Sequence, residues 1–378
     1  MPSNAGITSA RQPCIWVLTA KKLGDNAQVL SIADALGWRY ETKRLEFTGL
    51  NHYHFRFFGP SLRKVDVARS SPLTPPWPDL VLTIGRRATP VALWIRQQSQ
   101  GRAKLVQVGQ SRIGFDNFDL VIANPQYHLP DHPRLFRLRI PLLYTNAEAT
   151  GAAAATWQPR FMHLPRPWTA LLVGGSTKPF TLDVRVAQDM MHAVRQGIAR
   201  DGGSLLVSTS RRTKPEVTAV IETLMPEQGF FYRWSPDNES NPYRGILGLA
   251  DRFVVTGESI SMLVEVVRQQ KPLAIAPLPI QRKSIALRSR FVMQHLCFPL
   301  GAEPNYLQGL RERLGEILVR IGMLEYRRDF SLFHQQVIKQ GLAVWLGEPF
   351  PTTLNVPPNE LPLVVERVKA LLPQASTA

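Results

Sequence analysis

Apolar positions along the chain fall into short runs that alternate with stretches of helical spacing. Cys14–Leu18 is an apolar run of strand length, after which Ala27, Leu30, Ala33 and Leu36 mark one face of a helix closed by Gly37. The grammar repeats at Asp79–Ile84, which ends in Gly85-Arg86-Arg87 before Thr89 and Pro90 open a helix over Val91–Gln98. Lys104–Val108 and Leu120–Ala123 read as further parallel strands. Strands alternating with helices predict a doubly wound sheet.

An alanine-rich and then proline-containing stretch follows, with Ala152–Ala155, Pro159, Pro165 and Pro167, and predicts an exposed linker over 151–168. A second series then begins. Ala170–Val173 leads into Gly174-Gly175-Ser176-Thr177 and a helix from Asp183 to Arg200, stopped by Gly202-Gly203. Ser204–Val207 runs into Ser208-Thr209-Ser210-Arg211-Arg212-Thr213, with Pro215 opening another helix. Arg252–Val255 passes through Gly257-Glu258-Ser259 into the helix Ser261–Gln270 and the strand Leu273–Ala276. Helices are predicted at Leu310–Ile321, Glu325–Gln340 and Leu361–Leu371. The expected fold class is α/β: two Rossmann-like domains, 1–150 and 169–347, face across a cleft in the GT-B manner. C-terminal helices follow, the last of them in an extension over 348–378.

Length and charge sharpen this picture. At 378 residues and 44% hydrophobic, the chain can fill two cores of ordinary size. No apolar run approaches the roughly 18 to 20 residues that span a bilayer. Met1–Gln12 has no stretch of signal-peptide type, so a cytoplasmic chain, peripheral on the inner face of the membrane, is expected. Cys14 and Cys297 are too few for a disulfide framework or a cysteine metal site. The 45 Lys and Arg against 29 Asp and Glu give a formal charge of +16, which attracts anionic partners. Residues 1–165 hold 20 of those basic side chains against 10 acidic ones, so the first domain is the more basic. Without an RNP-like signature, a zinc module or a long basic helix, nucleic acid is not the expected partner; a membrane surface or a phosphorylated acceptor suits the charge better.

Three strand-end loops of the second half carry the expected donor site. Gly174-Gly175-Ser176 lets backbone amides approach a diphosphate, although no Walker ending or full Gly-x-Gly-x-x-Gly is present. Ser208, Thr209, Ser210 and Thr213, with Arg211 and Arg212, place hydroxyls and guanidiniums where phosphate oxygens can be bound; a solvated polar loop has the same composition. Gly257, Glu258, Ser259, Ser261 and Met262 surround a helix N-terminus, and Glu265 one turn on can accept hydrogen bonds from a ribose or merely complement the helix dipole. In the first half, Gly24-Asp25 sits at the start of the first helix. Asp25 suits a general base for an acceptor hydroxyl and equally suits an N-cap. Arg86, Arg87 and, in Gln110-Ser111-Arg112, Arg112 cap neighbouring strands and can meet acceptor or phosphate charge or simply face water. The eight histidines are dispersed: His128 and His132 are separated by Pro130, and His52 and His54 read as a strand face, so no metal site is expected.

Lys22-Leu23-Gly24-Asp25-Asn26-Ala27-Gln28, Pro78-Asp79-Leu80 with Gly85-Arg86-Arg87, Asn241-Pro242-Tyr243 and Thr256–Met262 together resemble the elongated-mitochondria (mitochondrial fission) family. The resemblance covers about residues 12–347. It joins bacterial proteins, mostly described by likeness as glycosyltransferases, to a plant mitochondrial-fission factor, and it implies a GT-B fold. The helix Ser261–Glu265 also resembles the UDP-binding helix of the glycosyltransferase that completes lipid II, which makes Glu265 a ribose ligand by that resemblance. Gly24-Asp25 is similar to the Gly-Asp pair of lipopolysaccharide heptosyltransferases, whose aspartate is the supposed base. The lipid II enzyme's glycine-rich, histidine-containing loop after the first strand is missing here. The resulting expectation is an inverting glycosyltransferase that moves a sugar from a nucleotide-diphosphate donor to a lipid-linked or lipopolysaccharide-type acceptor, with no cofactor or essential metal. A nucleotide-sugar epimerase of the same fold and a non-catalytic membrane-fission adaptor are the alternatives.

Overall fold

The computed structural model of the chain describes residues 12–20, 23–48, 59–110, 113–127, 129–142, 146–177, 179–236, 240–280, 292–293, 296–297, 306–320, 324, 326, 329–352 and 358–372; of 23–25, 306, 308 and 320 it describes the backbone alone. The chain forms two compact units. The first comprises 1–142, 290–328 and 359–378, the second 143–289 and 329–358.

In the first unit, β1 (Ile15–Thr19), β2 (Tyr40–Arg44), β3 (Leu80–Ile84), β4 (Lys104–Val108), β5 (Leu120–Ala123) and β6 (Leu135–Arg137) form one parallel sheet in the order β2-β1-β3-β4-β5-β6. Helices α1 (Leu23–Leu36) and α2 (Thr89–Gln98) are the crossovers. Strand periodicity splits the central residues between two core layers. Ile15, Val17, Leu80 and Leu82 join Val29 and Ile32 of α1, whereas Trp16, Leu18 and Val81 join Ile95 of α2 and Phe118. Both faces of these strands are buried, hence their continuous apolar runs. Each buried side chain of this size contributes roughly 1.5 to 3 kcal/mol.

In the second unit, β7 (Trp168–Leu172), β8 (Ser204–Ser208), β9 (Gly229–Tyr232), β10 (Arg252–Thr256), β11 (Leu273–Ala276) and β12 (Val344–Trp345) form a second parallel sheet, ordered β12-β11-β10-β7-β8-β9. Its helices are α3 (Ala147–Phe161), α4 (Val184–Asp201), α5 (Pro215–Thr223), α6 (Tyr243–Leu249), α7 (Ile260–Arg268) and α9 (Phe330–Lys339). Two Rossmann-like units on one chain agree with the GT-B expectation.

Three boundary expectations differ from what forms. The stretch expected as a linker over 151–168 is mostly helix α3. Asn146 Oδ1 accepts the Ala149 amide at 2.9 Å as N-cap. The alanine run is the strongest helix former available, and Trp157 and Phe161 anchor the helix against Phe230 and Trp168. Pro159 lies inside the helix, where it removes one amide donor from the last turn. The second difference concerns the C-terminal residues, expected as an extension over 348–378. Residues 359–378 join the first unit, where α10 (Leu361–Lys369) packs Val364 and Val368 against the Ile32 and Leu36 side of α1, and the Glu360 carboxylate accepts the Arg139 amide at 2.7 Å. The third is the segment 290–328, with α8 (Tyr306–Arg320), which also belongs to the first unit.

Candidate functional site

Counted from β7, the second sheet reads 3-2-1-4-5-6, the dinucleotide-binding order, so its direction switches between β7 and β10. Ligands of doubly wound sheets bind in the crevice outside the carboxyl ends of the strands at such a point. The loops after β7, β8 and β10 meet there. The Gly174 amide donates to Thr256 Oγ1 at 2.9 Å and the Gly175 amide to Glu258 Oε1 at 2.8 Å, so both already have protein acceptors. These glycines are required by crowding. A Cβ on Gly174 would lie 1.9 Å from Glu258 Oε1, and one on Gly175 would lie 2.0 Å from the Arg212 carbonyl oxygen. Ser210 and Thr213 hydroxyls donate to the Gly174 carbonyl at 2.9 and 2.6 Å.

Arg212 holds the three loops together. Its guanidinium donates to Thr177 Oγ1 and, at 2.8 Å, to Ser259 Oγ, and it stands 3.5 Å from Glu258 Oε1. The Glu258 side chain has no solvent exposure and accepts the Ser259 hydroxyl at 2.8 Å. Burial pushes the Glu258 carboxyl above its ordinary range, opposed by the Gly175 amide, Ser259 and Arg212. Ser259, the N-cap residue of α7, turns its hydroxyl to Glu258 and makes no side-chain cap, so the positive end of α7 lies beside Arg212. Behind the loop, buried His334 of α9 makes a 2.7 Å hydrogen bond with the Gly257 carbonyl oxygen; burial lowers its pKa, which keeps the ring neutral and donating from Nε2.

Glu265 is joined to Tyr243, two residues that the sequence placed far apart. The Tyr243 phenol donates to Glu265 Oε2. Burial raises the Glu265 carboxyl, with Tyr243 and Arg244 opposing, and burial followed by the Glu265 charge raises the Tyr243 phenol well above its usual value. Asn241 Oδ1 accepts the Tyr243 amide at 2.9 Å, fixing the start of α6. The remaining expected donor residues divide by exposure. Ser208 and Thr209 are buried, Thr209 accepting the Trp234 amide at 2.8 Å; Ser176, Arg211 and Ser261 are exposed, and Met262 is half-buried.

The first sheet switches direction between β1 and β3. Asn26 folds back on Ala20, accepting its amide at 3.1 Å and donating to its carbonyl at 2.6 Å, which ties the first turn of α1 to the end of β1. Gly24 and Asp25 lie in the first turn of α1, whose helix starts at Leu23, so Asp25 is inside the helix and is not its N-cap; its side chain is outside the described residues. Gln28, one turn on, accepts from Asn124 Nδ2 at 3.1 Å at the end of β5. After β3, Gly85 turns the chain at φ +77°, and Arg86 and Arg87 are exposed. The loop after β1 and the Gly85–Arg87 turn thus flank one switch point. Ser111, Arg112, His52, His54 and His128 lie outside the described residues, and His132 is in a loop.

Sequence reasoning named Arg211 and Arg212 together without choosing between them, took Thr177 and Thr256 only as parts of longer motifs, and did not consider His334. Nothing in the adjacent pair Arg211-Arg212 says which guanidinium turns inward. Thr256 carried a usable signal, as a hydroxyl on the last position of a buried strand before a glycine.

The fold and site define a two-unit doubly wound α/β protein whose second sheet carries a polar, arginine-spanned cluster of loops at its switch point. The chain belongs to the mitochondrial fission ELM1 family, whose sequence profile matches residues 23–300. It is 24% identical over 300 residues to the uncharacterised protein RP120 of Rickettsia prowazekii (strain Madrid E), covering 69% of this chain and 82% of that one. It is 26% identical over 220 residues to the mitochondrial fission protein ELM1 of Arabidopsis thaliana, 52% of this chain and 51% of the plant protein, and so spans about half the length of that relative. Among solved structures it is similar to the UDP-GlcNAc 2-epimerase of Methanocaldococcus jannaschii, at 9% identity and a TM-score of 0.47 over 95% of this chain and 100% of that one, a likeness of fold alone. Among the described residues no helix is long and apolar enough to cross a membrane.

Proposed function

We propose that the protein is an inverting glycosyltransferase: the second unit holds a nucleoside-diphosphate sugar, and the first presents an anionic lipid-linked or lipopolysaccharide-type acceptor. The observation that carries the reading is Arg212, whose guanidinium spans all three strand-end loops beside the uncapped end of α7. A guanidinium and a helix dipole are what a departing diphosphate needs as charge develops on it, and they do this without a metal. Glu265 has one carboxylate oxygen held by Tyr243 and offers the other to a ribose hydroxyl. Asp25 is the proposed base. It takes the acceptor hydroxyl's proton as that oxygen bonds to the anomeric carbon and the bond to the diphosphate breaks.

The test is calorimetry with UDP, GDP, CMP and their sugars, followed by product analysis in EDTA. Transfer predicts diphosphate release that depends on acceptor; an epimerase would invert a sugar centre with no acceptor, and an adaptor would bind none of the ligands. Glu265→Ala should weaken nucleotide binding by about 1 to 3 kcal/mol. Asp25→Asn should leave binding intact and lower turnover about 10²- to 10⁴-fold. Normal transfer by Asp25→Asn removes the aspartate as base.

A further inference from the structure

Helix α8 exposes a row of large apolar side chains. Leu307, Leu310, Leu314 and Ile317 are 64%, 49%, 53% and 55% exposed, and at 100° per residue they fall within one narrow arc of the helix. The helix is anchored to the first unit's core beside Phe118 and Tyr326 by Val319, buried on the other side, and by Leu318, packed at the edge of the arc. The arc is therefore a surface the fold holds outward. Exposed Arg311 and Arg313 border it on either side, whereas Glu312 and Glu316 lie on the far side of the helix. The unit that carries it holds 27 Lys and Arg against 15 Asp and Glu, and the second unit 18 against 14.

An apolar stripe edged with arginine on a strongly basic body matches an anionic bilayer surface, where leucines enter the acyl boundary and guanidiniums meet lipid phosphates. A second copy of the chain would bring the same positive charge against itself. We infer that the Leu307–Leu310–Leu314–Ile317 face of α8 is a membrane-docking surface for anionic lipid. This inference goes beyond the donor reading and is independent of it, since docking requires neither nucleotide nor transfer.

The test is co-sedimentation of the full chain with phosphatidylcholine vesicles, with and without phosphatidylglycerol, over a range of salt. The wild type should bind the mixed vesicles at low salt and be released as salt rises. Leu310→Ser with Leu314→Ser should lower partitioning about tenfold or more at every salt concentration. Arg311→Gln with Arg313→Gln should lower it by about an order of magnitude at low salt and little at high salt. Circular dichroism checks that each variant is folded; the arginine pair, exposed on the helix, keeps the question open if the leucine pair is not. Three results would overturn the inference: no binding to anionic vesicles, undiminished binding by both folded variants, or a dimer seen by ultracentrifugation that the leucine substitutions dissociate while vesicles bind neither form.

Discussion

The two switch points are built to opposite plans. In the second unit every loop at the crevice is tied to another: two glycine amides, two hydroxyls, a buried carboxylate and a guanidinium form one network. In the first, Asn26 ties α1 back to Ala20, one side-chain bond joins Gln28 to Asn124 after β5, and Arg86 and Arg87 are exposed. The glycines show the same contrast. Gly174 and Gly175 are needed because neighbouring loops leave no room for a Cβ, while Gly85 has nothing within 4 Å and is needed for its positive φ. A preorganised network suits a ligand bound in one fixed geometry, and an open turn suits a surface that receives varied partners.

The largest effect that sharpens this contrast is on stability. Gly175→Ala forces a backbone carbonyl aside and should cost about 3 kcal/mol or more, with donor binding weakened as the loops part. Gly85→Ala pays only for a left-handed alanine, about 1 to 2 kcal/mol. Urea unfolding monitored at each unit measures both, with an unchanged m-value as the check that the same transition is being compared. Equal costs would mean that the two turns are not built differently.

Much of this architecture could be read from the chain because both sheets are parallel and buried. Buried parallel strands write themselves as apolar runs, and eight of the twelve among the described residues, such as Leu80–Ile84 and Arg252–Thr256, were expected close to where they form. Strand β2 was not: Tyr40-Glu41-Thr42-Lys43-Arg44 lies at a sheet edge and buries one side chain fully, that of Lys43 over the Trp16 ring. Helix α3 was missed because alanine composition suits a linker as well as a helix, and the deciding partners, Phe230 and Trp168, are remote or follow it in sequence. At the site, hydroxyls and glycines after strands were legible as a class. Which groups pair was not, since the Arg212–Glu258–Ser259 and Tyr243–Glu265 contacts join segments 22 to 47 residues apart, apart from the adjacent Glu258 and Ser259.

A second prediction tests the wiring of the crevice itself. Arg212→Lys keeps the charge but loses the planar fork that reaches Thr177 and Ser259 at once, so diphosphate affinity should fall by about 1 to 3 kcal/mol. Arg211→Lys, on an exposed neighbour, should change it by less than about 0.5 kcal/mol. Calorimetric titration of both variants with UDP and GDP distinguishes them. Equal losses would place the two guanidiniums on the same footing and return the loop to a solvated one.

The smallest effect asks whether the buried carboxylate is a working charge or a strained one. Glu258 has a folded-state pKa raised above the ordinary 4.5, burial outweighing its amide, hydroxyl and guanidinium partners. Between pH 4.5 and that raised value the folded chain holds a proton the unfolded chain has released, so stability falls as pH rises through the window; below 4.5 the group is protonated in both states and contributes no slope. Glu258→Gln keeps the amide and hydroxyl acceptor, removes the ionisation, and should remove this loss. His334 slopes the other way, since its lowered pKa costs stability as pH falls below 6.5, and it is common to both proteins, so the difference between variant and wild type isolates Glu258. That difference should move in the variant's favour as pH rises from 4.5 toward neutrality. If it moves against the variant instead, Glu258 is ionised and stabilised by Arg212, and the crevice is clamped by an ion pair that an incoming diphosphate must compete with.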